Sequence, residues 1–279
     1  MHIISISNLP IHQIQYLTAA SGGIGVVERY LPVLLGEVDY LPNNLEAITI
    51  TSDLQGIDPK NQQLLSYLVI EELEKLADIG KIPSLKNTGM ILAGDFYAEV
   101  NRRSGVVGDI RDIWHAFSQQ FCWVAGVAGN HDSLGNTQEE ILVFKQNRSI
   151  YYLDGEIRRN GELNLAGISG IIGKKNKPFR RSEKEFIKAI RELIKQSPDI
   201  LILHEGPDYP QGNLVGKESI RKELEKIKIT NNLLVICGHS YWKIPTIILE
   251  NGIQVIKADS RVIVLHAKNY STSGCYEVQ

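Results

Sequence analysis

Cysteine is scarce: Cys122, Cys237 and Cys275 are the only three in 279 residues. An odd number at these spacings makes neither a disulfide framework nor a thiolate zinc site. Cys122 and Cys237 fall in apolar, strand-like runs, which reads as buried, reduced thiols. Long hydrophobic runs are missing too. Stretches such as LNLAGISGIIG are too short and too glycine-rich to span a bilayer. The first residues, MHIISISNLP, lack the basic segment and apolar core of a signal peptide. These absences predict a soluble, cytoplasmic protein with no membrane partner. No charge of one sign dominates. Lys and Arg total 30 and Asp and Glu 32, so the net charge of −2 gives no global argument for nucleic acid or anionic lipid. A dinucleotide site is also unsupported, because Gly23-x-Gly25 in SGGIGVVE has no third glycine.

What remains is ordinary globular material, 43% apolar and 22% charged. It reads as one domain over 1–279, with 1–45 an N-terminal strand and helix extension and 269–279 a frayed tail. Residues 2–7 read as a strand, and SGGIGVVERYLPVLLGEV as a helix kinked at Pro32. LEAITITSD and GMILAGD read as strands around the helix NQQLLSYLVIEELEKLADIG, closed by Gly80. GDIRDIWHAFSQQ reads as a helix with Asp109 as its cap, and FCWVAGVAGNHD as a strand. The second half is strand-rich: RSIYYLDG, LNLAGISG, DILILHEG, NLLVICGHS, TIILE, IQVIKA and RVIVLHA. Asn251-Gly252 marks a hairpin between two of them. Helices SEKEFIKAIRELIKQ, opened by a Ser182/Glu185 capping box, and KESIRKELEKIK interrupt the series. Many strands with few helices predict an α/β fold of two packed sheets flanked by helices.

Five of these strands end the same way. ITITSDLQ stops at Asp53 and Gln55, MILAGD at Asp95, VAGVAGNHD at Asn130 and His131, ILILHEG at His204 and LLVICGHS at His239. Singly, each is a turn residue or a structural histidine. Together they use three of the seven histidines. Strands side by side bring their ends together, and α/β proteins place chemistry beyond those ends. Carboxylates, amides and imidazoles at one edge suit a site for two divalent cations.

That order, Asp53, GD at 94–95, GNHD at 129–132, His204 and GH at 238–239, resembles the calcineurin-like metallophosphoesterases over roughly 46–266. The resemblance implies a four-layer αββα sandwich of two mixed sheets. It implies hydrolysis of a phosphate mono- or diester through a metal-bridging hydroxide. By position, Asp53 holds the first metal, Asp95 bridges, and Asn130, His204 and His239 hold the second. His131 faces the substrate as general acid or transition-state donor. The cofactors implied are two divalent ions, Mn²⁺ foremost, with Mg²⁺, iron and Ni²⁺ as alternatives.

Two motifs depart from the family's D-x-H and G-H-x-H. Here they are DLQ and GHSY, with Gln55 and Tyr241 where imidazoles of the first metal stand. Gln55 can coordinate through its amide oxygen, giving a weaker, all-oxygen first site that prefers Mg²⁺ or Mn²⁺ over Zn²⁺. Tyr241 reads as a hydrogen-bond donor to substrate, and Arg102 and Arg103 as phosphate-binding candidates. Where the phosphoprotein phosphatases of this family carry a relay Asp, the sequence has Ala98, with Glu99 and Asp132 nearby. The alternative reading, favoured by DLQ and GHSY, is a catalytically weakened member acting as a binding or scaffold module. The basic GKKNKPFRR is the sole support for a nuclease. The substrate is a small-molecule or polymeric phosphate ester, and neither its identity nor the oligomeric state is legible.

Overall fold

The computed structural model describes residues 1–20, 25–99, 106–228 and 233–268. The chain opens with strands β1 (Ile3–Ile6), β2 (His12–Ala19) and β3 (Val26–Val38). Next come β4 (Ala47–Ser52), β5 (Thr88–Leu92), a short β6 (Gly108–Asp109), β7 (Trp123–Gly126), a short β8 (Asp132–Ser133) and β9 (Ile150–Tyr152). Helices α1 (Leu65–Asp78), α2 (Arg111–Gln120) and α3 (Gln138–Lys145) lie among them. The second half carries β10 (Glu156–Asn160), β11 (Leu163–Ile168), β12 (Ile171–Ile172), β13 (Arg180–Arg181), α4 (Glu183–Ile194) and β14 (Ile200–Glu205). It closes with α5 (Glu218–Glu225), β15 (Leu234–Gly238), β16 (Thr246–Ile248), β17 (Gln254–Lys257) and β18 (Arg261–Ala267).

One sheet runs β1-β3-β18-β4-β5-β7-β9, with β2 added to β3, and the other runs β10-β11-β14-β15-β17-β16. β4, β5, β7 and β9 are parallel, as are β11, β14, β15 and β17. β18 runs antiparallel to β4, and β16 to β17 across the Asn251-Gly252 turn, so both sheets are mixed.

The period-two alternation of strands sorts side chains into layers. Ile48, Ile50 and Ile91 share one apolar layer with Ile200, Ile202, Leu234 and Ile236 of the other sheet. On the opposite parity, Met90 and Leu92 pack with Leu73 of α1 and Phe117 of α2. Leu201, Leu203 and Val235 pack with Phe186 of α4 and Leu224 of α5. Each such side chain stabilises the fold by about 1.5–3 kcal/mol. The outcome is an α/β sandwich in four layers, helix–sheet–sheet–helix. No helix among the described residues is long and apolar enough to cross a membrane.

The structure corrects four sequence expectations. The stretch expected as a helix with a kink at Pro32 is strand β3. Its Leu31, Val33, Gly36 and Val38 are buried at near-alternate positions, and it pairs with β2 and β18. Pro32 is tolerated because the ladder to β18 begins one residue later, at Val33–Val262. The extension over 1–45 therefore carries three strands and, among the described residues, no helix. Cys122 is exposed, whereas Cys237 is buried. Asp109 is held in β6 ahead of the helix start, where it accepts from the Arg111 N–H at 3.0 Å, and Ile110 occupies the cap position. Helix α3 was not anticipated, although Thr137 and Glu140 form a capping box at its start.

Candidate metal centre

Parallel strands deliver their chain ends to one edge, and the chain turns sharply there. Asp53, Asp95 and His239, each just beyond a strand, adopt left-handed backbone with φ of 55°, 61° and 70°. Such conformations cost about 1–3 kcal/mol in ordinary residues and concentrate at working sites. His204 lies inside β14, sharing the parity of Ile200 and Ile202, so it extends the inter-sheet face to that edge. Glycine precedes Asp95 and Asn130 because nothing larger fits. A Cβ on Gly129 would lie 1.9 Å from Asp95 Oδ1, and one on Gly94 would lie 2.5 Å from His204 Nδ1.

Asp95, His204 and His239 each present a ligand atom, all within 4.8 Å of one another. The His204 Nδ1 lies 2.7 Å from the Ala93 carbonyl, which places a proton on Nδ1 and turns Nε2 toward the site. That Nε2 is 3.3 Å from Asp95 Oδ2 yet lacks hydrogen-bond geometry, and Asn130 Oδ1 is also buried without a partner among the described residues. Buried polar atoms are almost always satisfied. One amide oxygen, one carboxylate and two imidazole nitrogens suit a divalent cation, once His204 gives up its second proton.

Asp53 lies outside that grouping. Its Oδ2 accepts from the His239 N–H at 2.9 Å and from Ser52 Oγ at 2.5 Å. Asp53, Gln55, His239 and Tyr241 line one cavity of about 630 Å³. Tyr241 is 61% exposed, with the Arg261 guanidinium carbon 5.2 Å from its ring centre. A second cavity of about 600 Å³ lies between α2 and α3 and is lined by none of the expected ligands. Arg102 and Arg103 lie outside the described residues. The basic stretch 173–181 does not line the 630 Å³ cavity. Within it, Arg181 pairs with Asp154 at 2.8 Å, and Lys175 with Glu185.

His131 donates its main-chain N–H to Asp95 Oδ1 at 2.8 Å, and its Nδ1 is buried without a partner among the described residues. Asp132 points the other way. It accepts the N–H groups of Gly129 (2.6 Å), Asp95 (2.7 Å) and Phe96 (2.9 Å). It is therefore occupied as a structural acceptor. Glu99 accepts from the Tyr97 hydroxyl at 3.0 Å.

The electrostatics are those of a site built for cations. Burial, and then the charge of Asp259, hold the Asp53 carboxyl well above the usual range. Burial works to neutralise His204, but Asp95 beside it lifts its pKa to about 10. Burial and then the charge on His204 push His239 down to about 3. Two rings whose centres are 5.1 Å apart do not both carry the second, charging proton. Asp95 is held below the usual range by His204 and then His131, against its burial. Asp132 is raised to about 7 by burial and the charge of Asp95, against its backbone donors.

Several residues of the cavity were not anticipated. Tyr16, Arg29 and Tyr30, from the β2–β3 hairpin, form one wall, and Asp259 and Ser260 another. The hairpin carries no local signal of this role. Asp259 does, since IQVIKAD is another apolar strand ending at a carboxylate.

A model of the calcineurin-like phosphoesterase family matches residues 47–242. Comparison with curated protein sequences gives no match. Similar solved structures include the phosphopantetheinyl hydrolase PptH from Mycobacterium tuberculosis, at 13% identity and TM-score 0.45, covering 78% of this chain and 90% of that one. Another is the calcineurin-like phosphoesterase YfkN from Bacillus subtilis, at 14% identity and TM-score 0.42, covering 76% and 80%.

Proposed function

From the premise that this chain belongs to the calcineurin-like phosphoesterase family, we propose that it is a divalent-metal-dependent hydrolase of phosphate mono- or diesters. The observation that carries this reading is the grouping of Asp95, His204 and His239 beside the unsatisfied Asn130 Oδ1. In it, Asn130, His204 and His239 hold one cation, Asp53 and Gln55 hold the other, and Asp95 serves both. When bound, the cations withdraw charge from the phosphoryl oxygens and lower the pKa of a water.

The remaining work falls to the side chains. Asn130 contributes a ligand without adding negative charge where a phosphate must approach. His131 is anchored through its backbone N–H to Asp95, which holds its Cα beside the shared carboxylate. Its unpartnered Nδ1 leaves the ring able to meet a phosphoryl oxygen or the leaving group. The cavity of about 630 Å³ matches a small organic ester, and Tyr241 and the β2–β3 hairpin meet its organic part. Oxygen donors in the first site favour Mn²⁺ or Mg²⁺ over Zn²⁺.

The test is a panel on metal-stripped protein, with mono- and diester nitrophenyl reporters against Mn²⁺, Mg²⁺, Ni²⁺ and Zn²⁺. Turnover restored by Mn²⁺ and abolished by chelator is the expected result. If no metal restores turnover of either ester, the hydrolase reading fails and a non-catalytic binding role takes its place.

A further inference from the structure

We propose that Asp259 is a ligand of the first metal site, the carboxylate that replaces the imidazoles absent from DLQ and GHSY. The proposal rests on the two-cation reading above and adds a residue that lies beyond the family match at 47–242.

The position follows from the chain path. β17 belongs to one sheet and β18 to the other, so the loop between them crosses at the site edge. Ala258 N–H donates to the Cys237 carbonyl at 2.8 Å, and Ser260 N–H to the Ser52 carbonyl at 3.0 Å. Asp259 itself bridges Ser52. It is thereby clamped between the ends of β4 and β15, beside Asp53 and His239. It lines the same cavity as Asp53 and Gln55.

Its surroundings balance its charge only in part: the Ser260 side chain hydrogen-bonds to it, and the charges of Lys257, Arg261 and His204 act on it from beyond ion-pair distance. Asp259 is 7% exposed, and no Lys, Arg or His among the described residues lies within ion-pair distance of its carboxylate. The two cationic neighbours in sequence direct their hydrogen bonds elsewhere. Lys257 Nζ donates to the Gly238 carbonyl and to Ser240 Oγ, the latter at 3.1 Å. Arg261 donates to the Trp242 carbonyl at 2.5 Å and faces Tyr241. A buried carboxylate without a cation is costly, and a divalent ion between Asp53 and Asp259 removes that cost. The first site then has oxygen donors from Asp53, Asp95, Asp259 and Gln55. Tyr241, largely exposed and set against Arg261, is left outside it.

Mn²⁺ binding is measured by electron paramagnetic resonance on metal-stripped wild type, Asp259→Asn and Asp259→Cys, with thermal unfolding of each metal-free protein. Wild type should bind two ions. Asp259→Asn should keep the tighter one and weaken the other at least about tenfold, and should unfold no lower than wild type. Asp259→Cys should shift the weaker site from Mn²⁺ toward Cd²⁺, which a structural role would not do. Unchanged affinity in Asp259→Asn, or unchanged metal preference in Asp259→Cys, overturns the proposal. So does a lowered unfolding temperature with unaltered Mn²⁺ binding, which would make Asp259 a structural acceptor. A wild type that binds one ion, equally in Asp259→Asn, removes Asp259 but leaves a metal-dependent hydrolase. A wild type that binds none overturns the two-cation reading itself.

Discussion

Asp132 allows the site to be broken without removing a ligand. Its carboxylate is fully buried and takes three backbone N–H groups, from Asp95 and Gly129 on Oδ2 and from Phe96 on Oδ1. These bonds lash the end of β5 to the end of β7, and so fix Asp95 relative to Asn130. Asp132→Asn keeps the shape and one acceptor oxygen. That oxygen can still serve Asp95 and Gly129, but the amide nitrogen then faces the Phe96 N–H. One buried donor is orphaned, at a cost of about 1–3 kcal/mol. Asp132→Ala orphans all three, so the loss should reach roughly 3 kcal/mol or more, with a small cavity term added. Urea unfolding of the metal-free proteins at pH 8, with tryptophan fluorescence as the signal, measures both. Mn²⁺ affinity should fall about 10–100-fold in Asp132→Asn, because the supports of Asp95 relax. An Asp132→Asn loss below about 0.5 kcal/mol, or an alanine variant no worse than the asparagine one, would refute the reasoning.

His131→Ala should lower turnover by about 10²–10⁴-fold at unchanged metal content, and more for an alkyl phosphate than for a nitrophenyl ester. Equal losses on the two esters would eliminate leaving-group protonation, and lost metal would make His131 a ligand. Gln55→His should lower the Mn²⁺ concentration for half-maximal activity, and an unmoved titration would remove Gln55 from the ligand set. His204, lifted to about 10 in the metal-free protein despite its burial, should release about one proton on Mn²⁺ uptake at pH 7, with affinity rising about tenfold per pH unit. Its raised pKa also means that the stability it gives the metal-free fold is full below about 6.5 and lost as pH climbs through about 10. Calorimetry in buffers of different ionisation enthalpy reads the proton, and none released would contradict the assignment. Gly129→Ala would set a Cβ 1.9 Å from Asp95 Oδ1 and should abolish Mn²⁺ binding, so a variant with normal metal content would show that this close approach is not needed.

The strand ends were legible because their signal is local. An apolar run with strand spacing, then a polar residue, marks a chain leaving a sheet, and parallel strands leave on the same side. That logic placed Asp95, His204 and His239 in one list, and the structure sets them within 4.8 Å. The strand-end signal alone does not separate His131 from Asp132; the family resemblance does, reading Asp132 as a structural acceptor, and the structure leaves His131 with a ring nitrogen unpartnered among the described residues and spends Asp132 on three backbone donors. Such a division is set by Asp95 and Phe96, some 36 residues earlier in the chain. The β3 segment was misread for a related reason. Its Leu, Glu and Arg content suits a helix, and the ladders that make it a strand join it to β2 and to β18, as in Val33 with Val262. Pairings across more than two hundred residues leave no trace in a local pattern. Asp259 meets Ser52 across the same kind of distance. Asp259 ends an apolar run as the other site residues do, but β17 and β18 belong to different sheets, and only the crossing of the loop between them brings it to Asp53.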